Sequence, residues 1–246
     1  MKDLINTIQL GDCYELMRRL PDGSVDLLLT DPPYGTTHCA WDCKIDIAAF
    51  FEQVWRVCKH NAAVLIFSQL PFACDLINAA RKLYRYDIVW VKNRGLGFLN
   101  AHKMPLRAHE LILTFYRALP TFNPQMTTGT PYKAKSNGKC TKCYAVNDSV
   151  VSISHGTRYP VDVLKYANVN NGQHGTQKPL ALVENLVKQY SDKGDLVLDP
   201  FGGSCTTAVA CHRTGRRYIC FEKDTDNFAA ASKRLAEELR QPMLNL

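Results

Sequence analysis

Short apolar runs alternate along the chain with stretches whose apolar residues recur at helical spacing. The runs at 7–10, 25–30, 63–67, 87–91, 110–115, 196–199 and 218–222 read as seven strands. Nearly continuous apolar character over four to six residues is what a strand buried on both faces requires, so a mostly parallel sheet flanked by helices is predicted. In 46–60, Ile47, Phe50, Phe51, Val54 and Val57 fall on one helical face, and 179–190 and 225–239 follow the same spacing. These apolar side chains are core contacts. The predicted fold is therefore α/β, a doubly wound, mostly parallel, seven-stranded sheet.

The pattern changes after Tyr116. Residues 118–173 are rich in Pro, Thr, Asn, Lys and Gly and hold few long apolar runs, which predicts a long insertion. It would divide one domain into the halves 1–117 and 174–246. A chain of 246 residues, 46% of them hydrophobic, can bury a single sizeable core, and no internal repeat interrupts it.

Charge sharpens this division. The net charge is +7, yet residues 1–80 carry 6 Lys/Arg against 10 Asp/Glu, residues 81–173 carry 14 against 4, and residues 174–246 carry 10 against 9. A phosphate backbone is the natural partner of so basic a middle third, although a solvated basic surface has the same composition. The 10 cysteines are scattered and no apolar leader opens the chain, so reduced thiols and a cytoplasmic location are expected. No apolar run approaches the roughly 18 residues that span a bilayer, so no membrane partner is expected.

Two strand ends carry candidate chemistry. After the run 196–199 come Pro200, Phe201, Gly202, Gly203, Ser204, Cys205, Thr206 and Thr207, a glycine turn leading into a helix start. Glycines let backbone approach a ligand closely, and hydroxyls and free N–H groups at a helix N-terminus suit a carboxylate. Glu222 ends the next strand, 23 residues after Asp199, where a carboxylate typically bonds the ribose of a nucleoside cofactor. A nicotinamide cofactor would explain a glycine turn about as well, but a full G-x-G-x-x-G is missing. The second end is Asp31-Pro32-Pro33-Tyr34, directly after an apolar strand. Two prolines stop the strand and stiffen the loop. It can then present a carboxylate, the Pro32 carbonyl and an aromatic face to one planar, amino-bearing ring.

With these motifs the sequence resembles the amino-methylating DNA methyltransferases, adenine-N6 and cytosine-N4 enzymes, of the group whose D/S-P-P-Y motif precedes the cofactor motif. The resemblance also takes in Gly11-Asp12-Cys13, Trp90-Val91-Lys92, the stretch His174–Pro179, Asp199–Thr207 and Glu222, and covers most of the chain outside the insertion. It departs at Cys205, where the family usually has glycine, and at Gly175, where it usually has proline; a side chain at 205 is expected to narrow the cofactor turn.

The resemblance implies a circularly permuted S-adenosylmethionine (AdoMet)-dependent methyltransferase fold, with 1–117 as its catalytic half and 174–246 as its AdoMet-binding half. Phe201, Gly202, Gly203, Ser204 and Thr206 would hold the methionine part, Asp199 its ammonium, Glu222 the ribose, and Asp12 and Cys13 the adenine end, with Lys178 a candidate for the carboxylate. Asp31, Pro32, Pro33 and Tyr34 would act on an amino group of a base flipped out of double-stranded DNA. Aspartate at the first position favours adenine N6; cytosine N4, an RNA or protein glutamine substrate, and an inactive DNA-binding regulator are the rival readings. Cytosine-C5 chemistry needs a thiolate nucleophile, typically following proline, and none of the cysteines follows one.

Lys92, Arg94, Lys103 and Arg107 are expected on phosphates near the catalytic end. Lys133, Lys135, Lys139, Lys142 and Arg158 belong to the candidate target-recognition insertion. Cys140 and Cys143 have the spacing of half a zinc site, but even with His155 a fourth ligand is lacking, so no metal is expected. The resemblance also allows a homodimer and a companion restriction nuclease, and the sequence decides neither.

Overall fold

The structure, a computed structural model, describes residues 1–35, 44–135, 151–169 and 177–240. Among the described residues, eight strands form the central sheet. In chain order they are β1 (Thr7–Leu10), β2 (Val25–Thr30), β3 (Cys58–Ser68), β4 (Tyr84–Leu96), β5 (Arg107–Phe115), then, past four short strands, β10 (Val163–Lys165), β11 (Leu196–Asp199) and β12 (Arg217–Glu222). The spatial order is β1-β12-β11-β2-β3-β5-β4-β10, with β5 antiparallel to both its neighbours and every other pairing parallel.

All seven predicted strands are present, and the eighth, β10, lies inside the segment read as insertion. It escapes a pattern search because it is three residues long on a sheet edge, with only Leu164 turned inward. The helix predicted over 46–60 is α2 (Ile47–Val57). It stops at Val57 because Cys58 is already extended and begins β3.

Period-two alternation along the strands divides the core between the sheet's faces. Leu28, Val64, Ile66, Leu198 and Phe221 pack with α1 (Cys13–Arg18), α2 and α3 (Phe72–Ala79). Leu27, Leu29, Leu65, Val197 and Cys220 pack on the other side with α4 (Leu180–Tyr190), α5 (Thr206–Thr214) and α6 (Thr225–Leu239). Both faces are covered, as continuous apolar strands demand.

Residues 124–161 form a separate compact unit, narrower than the predicted insertion. It contains two small antiparallel ladders, β6 (Thr127–Thr128) with β9 (Thr157–Arg158) and β7 (Tyr132–Lys135) with β8 (Val151–Ser154). Arg158 ties them together: its guanidinium donates to Ser154 Oγ and to the carbonyls of Thr157 and Thr130, and lies 4.6 Å from the Tyr132 ring centre.

Candidate active site

Strands β11 and β2 run side by side and parallel, Val197 opposite Leu27 and Leu198 opposite Leu28. Their carboxyl ends therefore open on the same rim, at the switch point where α/β sheets take ligands. Thr30 Oγ1 donates to Asp199 Oδ1 at 2.7 Å and joins the two ends.

On the β11 side lies a hollow of about 430 Å³, within the size range of cofactor sites. The glycine turn forms one wall. Gly202 N donates to the Phe221 carbonyl at 2.7 Å, and a Cβ there would stand 2.8 Å from Cys205 Sγ, so no side chain fits. Gly203, at φ 52, faces open space and donates to Glu222 Oε2 at 2.7 Å, while Asp224 N donates to the other Glu222 oxygen at 2.8 Å. Ser204, Thr206 and Phe201 complete this wall. Asp199 accepts from Thr207 Oγ1 at 2.7 Å and from Phe201 N at 3.2 Å. Burial pushes its carboxyl up to about 6 in spite of these donors. Asp12 caps α1 by accepting from Tyr14 N at 3.0 Å, and it faces Lys223 at 3.4 Å. Cys13 follows it into the wall; burial, then the Asp12 charge, pushes its thiol up to about 12, so it stays protonated at neutral pH.

Cys205 departs from expectation. It takes the left-handed conformation (φ 50) that favours glycine, but its side chain is fully buried in the α4–α6 side of the core. It is not among the residues lining the hollow, so it does not narrow the turn there.

A second hollow, of about 440 Å³, adjoins the first on the β2 side. The two share Asp31, Pro33, Gln177 and Lys178, and Pro32 and Tyr34 line the second alone. Asp31 stands in this common wall with both carboxylate oxygens engaged. Tyr34 Oη donates to Oδ1 at 2.7 Å and Lys178 Nζ donates to Oδ2. Tyr34 also packs on Phe72, ring centres 5.3 Å apart.

Lys178 reaches Glu110 Oε2 at 3.5 Å, and Lys92 Nζ donates to Glu110 Oε1 at 2.5 Å. Gln69 Nε2 donates to the same oxygen at 3.2 Å and is itself held by Arg107 at 2.8 Å. Burial works to raise Glu110, but Lys178 and Lys92 together hold it below the usual carboxylate range. Burial likewise works to lower Lys178, and Asp31 and Glu110 hold it above its ordinary value.

One expected assignment changes. Lys92 was expected on a DNA phosphate, but it is buried and paired with Glu110, so it offers no surface charge. Lys178, expected beside a methionine carboxylate, lines the first hollow with its ammonium paired to Asp31 and Glu110. Arg94, Lys103 and Arg107 are exposed, as are Lys133 and Lys135 within the 124–161 unit, where Arg158 is instead occupied by its own unit. Lys139, Lys142, Cys140, Cys143, Gly175 and His174 lie outside the described residues. Glu110, Gln69 and Thr30 were not foreseen. A lone carboxylate heading the apolar run 110–115 was the available signal for Glu110.

A permuted, doubly wound sheet with adjoining hollows at its switch point is the AdoMet-dependent methyltransferase fold. Residues 25–233 match the family described as DNA methylase, the N6/N4 methyltransferases, and the chain belongs to that family. Among curated relatives, the type II methyltransferase M.HpaI of Haemophilus parainfluenzae is 27% identical over 93% of this chain and 73% of its own length. M.HinfI of Haemophilus influenzae is 25% identical over 96% and 70%. Among solved structures, an M1.HpyAVI–SAM complex matches with a TM-score of 0.63 at 25% identity, covering 93% of this chain and 99% of its own. The cytosine-N4-specific PvuII DNA methyltransferase shares the fold, with a TM-score of 0.66 at 17% identity over 94% and 90%. Among the described residues no group of metal ligands is present, and no helix is long and apolar enough to cross a membrane.

Proposed function

We propose that this protein transfers a methyl group from AdoMet to N6 of an adenine flipped out of double-stranded DNA. The observation that carries the reading is the common wall: Asp31 belongs at once to a cofactor-sized hollow and to the hollow lined by Pro32 and Tyr34.

The first hollow suits AdoMet by its donor set. Six carboxylates line it (Asp12, Asp31, Asp46, Asp199, Glu222 and Asp224) against the three lysines Lys44, Lys178 and Lys223, and Lys178 is already paired. An acidic lining matches a ligand carrying a sulfonium and an ammonium, and the Phe201 ring offers a face that attracts cations. Glu222 would hold the ribose, Asp199 the ammonium, the backbone of Gly202 to Thr206 the methionine part, and Asp12 and Cys13 the adenine end. When bound, AdoMet supplies an electrophilic methyl group.

The remaining chemistry belongs to the chain. An aromatic amine is a poor nucleophile because its lone pair is delocalised into the ring. Asp31 and the Pro32 carbonyl, accepting its N–H groups, favour a pyramidal nitrogen and hold it in line for attack. Each Asp31 oxygen has a lone pair left after its bond to Tyr34 or Lys178, so those bonds fix the carboxylate without exhausting it. Tyr34 stacks on the extruded base, Pro33 keeps the loop stiff, and no covalent enzyme intermediate is needed.

Aspartate rather than serine at position 31 favours adenine over cytosine. Expression in a methylation-deficient host, with modified bases mapped by single-molecule sequencing, tests both base and target. N6-methyladenine at a defined site is expected, and its loss on Asp31→Ala with AdoMet binding kept; modified cytosine, or unchanged methylation in the variant, would refute the assignment.

A further inference from the structure

The loop between β4 and β5 carries an apolar tip held out in water. Residues 96–106 contain five large apolar side chains, Leu96, Phe98, Leu99, Met104 and Leu106, and all are exposed, Phe98 to 79% and Leu99 to 96%. The tip is nevertheless well formed. Gly97, at φ 89, enters a 3-10 turn over Phe98–Asn100, and Asn100, Ala101, Lys103 and Met104 close it with backbone bonds of 2.9 to 3.0 Å. At the base Leu96 pairs with Arg107, and a Cβ on Gly95 would stand 2.6 Å from Leu106 Cβ, so the two arms touch. Large apolar side chains presented together to water forgo the gain of burial, and a patch so presented marks a contact surface.

Position and charge identify the contact. Leu96, Gly97, Asn100 and Met104 line the same hollow as Asp31 and Pro32, so the tip stands at the rim of the expected base site. Residues 93–109 include no Asp or Glu, and Arg94, His102, Lys103, Arg107 and His109 are exposed on this segment. A second copy docked tip to tip about a two-fold axis would bring these cations against their own kind, whereas a duplex meets them with phosphates.

We infer that Phe98 and Leu99 form a wedge that enters the DNA stack beside the target and fills the gap left by the extruded base, with Arg94, Lys103 and Arg107 on the flanking phosphates. The inference rests on the proposed function. Extrusion breaks a base pair and two stacking contacts, and an inserted apolar side chain restores part of the lost stacking and blocks return.

The test uses the full chain and a duplex carrying its mapped site, with the target either paired or opposite an abasic position. The Phe98→Ala/Leu99→Ala variant should lose about tenfold or more in methylation rate on the paired duplex, and stay within about threefold of wild type when the target is already unpaired. Phe98→Trp should retain activity on both, and AdoMet affinity should be unchanged in all. Equal rates of variant and wild type on the paired duplex would overturn the wedge. So would an equal loss on both duplexes, including one accompanied by a halved mass in light scattering, which would assign the tip to a contact between copies. A wild-type chain inactive on both duplexes would instead refute the proposed function, and the wedge with it.

Discussion

Asp199 is held against its own chemistry. Buried and pushed from its ordinary 3.8 up to about 6, it binds a proton more tightly in the folded chain than in the unfolded one. Its ionised form therefore opposes folding: stability falls as the pH rises from about 4 to 6, by roughly 3 kcal/mol in all. Asp199→Asn should stabilise the ligand-free protein at pH 7 by an amount of that order, and the gain should vanish near pH 4, as read by urea unfolding across the range. AdoMet binding should weaken in the same variant, which separates a carboxylate kept for a ligand from one kept for the fold. Glu110 behaves oppositely. Held low by Lys178 and Lys92, it contributes stability that is present above its ordinary 4.5 and lost as the pH falls through its lowered folded value. Glu110→Gln strands the buried ammonium of Lys92 and leaves Lys178 to Asp31 alone, and should cost about 3 kcal/mol near neutral pH in urea unfolding. Its turnover should fall with AdoMet affinity unchanged, because Lys178 then holds Asp31 less firmly.

At the scale of elements, the turn between β11 and α5 meets two demands: backbone close to a ligand, and a left-handed residue at its exit. Cys205 fills the second position where glycine would be easier, and its buried sulfur compensates by packing. Cys205→Gly relieves about 1 kcal/mol of backbone cost and removes a contact of similar size, so melting should move little and methylation should stay within about twofold. A large loss of AdoMet affinity would show that the sulfur shapes the hollow after all. The sequence made this turn, the proline loop and Glu222 legible because each is local, a few residues whose spacing declares their geometry. It could not show the chain Asp31–Lys178–Glu110–Lys92. Glu110 and Lys178 meet only because β5 enters antiparallel between β3 and β4, which sets Glu110 opposite Trp90 and beside Lys92. Read one at a time, Lys92 looks like a surface cation and Lys178 like a partner for a ligand carboxylate.

For the whole molecule, net charge matters less than its concentration in residues 81–173. If Arg94, Lys103, Arg107, Lys133 and Lys135 each neutralise one phosphate, DNA affinity should fall a few hundredfold, roughly, between 50 and 200 mM salt. AdoMet affinity should barely change over that range. Titrating both ligands in one salt series checks this, and replacing any one of the five by glutamine should lower the slope of log affinity against log salt by about one. A flat DNA profile would mean that the basic segment is solvated and does not bind.

The partition formed by Asp31, Pro33, Gln177 and Lys178 has a chemical corollary. Two compartments with a common boundary invite a single tethered molecule: a nucleoside-amino acid head joined through a short linker to a purine would seat both ends, each raising the local concentration of the other. Such a bisubstrate compound should bind far more tightly than either fragment, and lengthening the tether should erode the advantage.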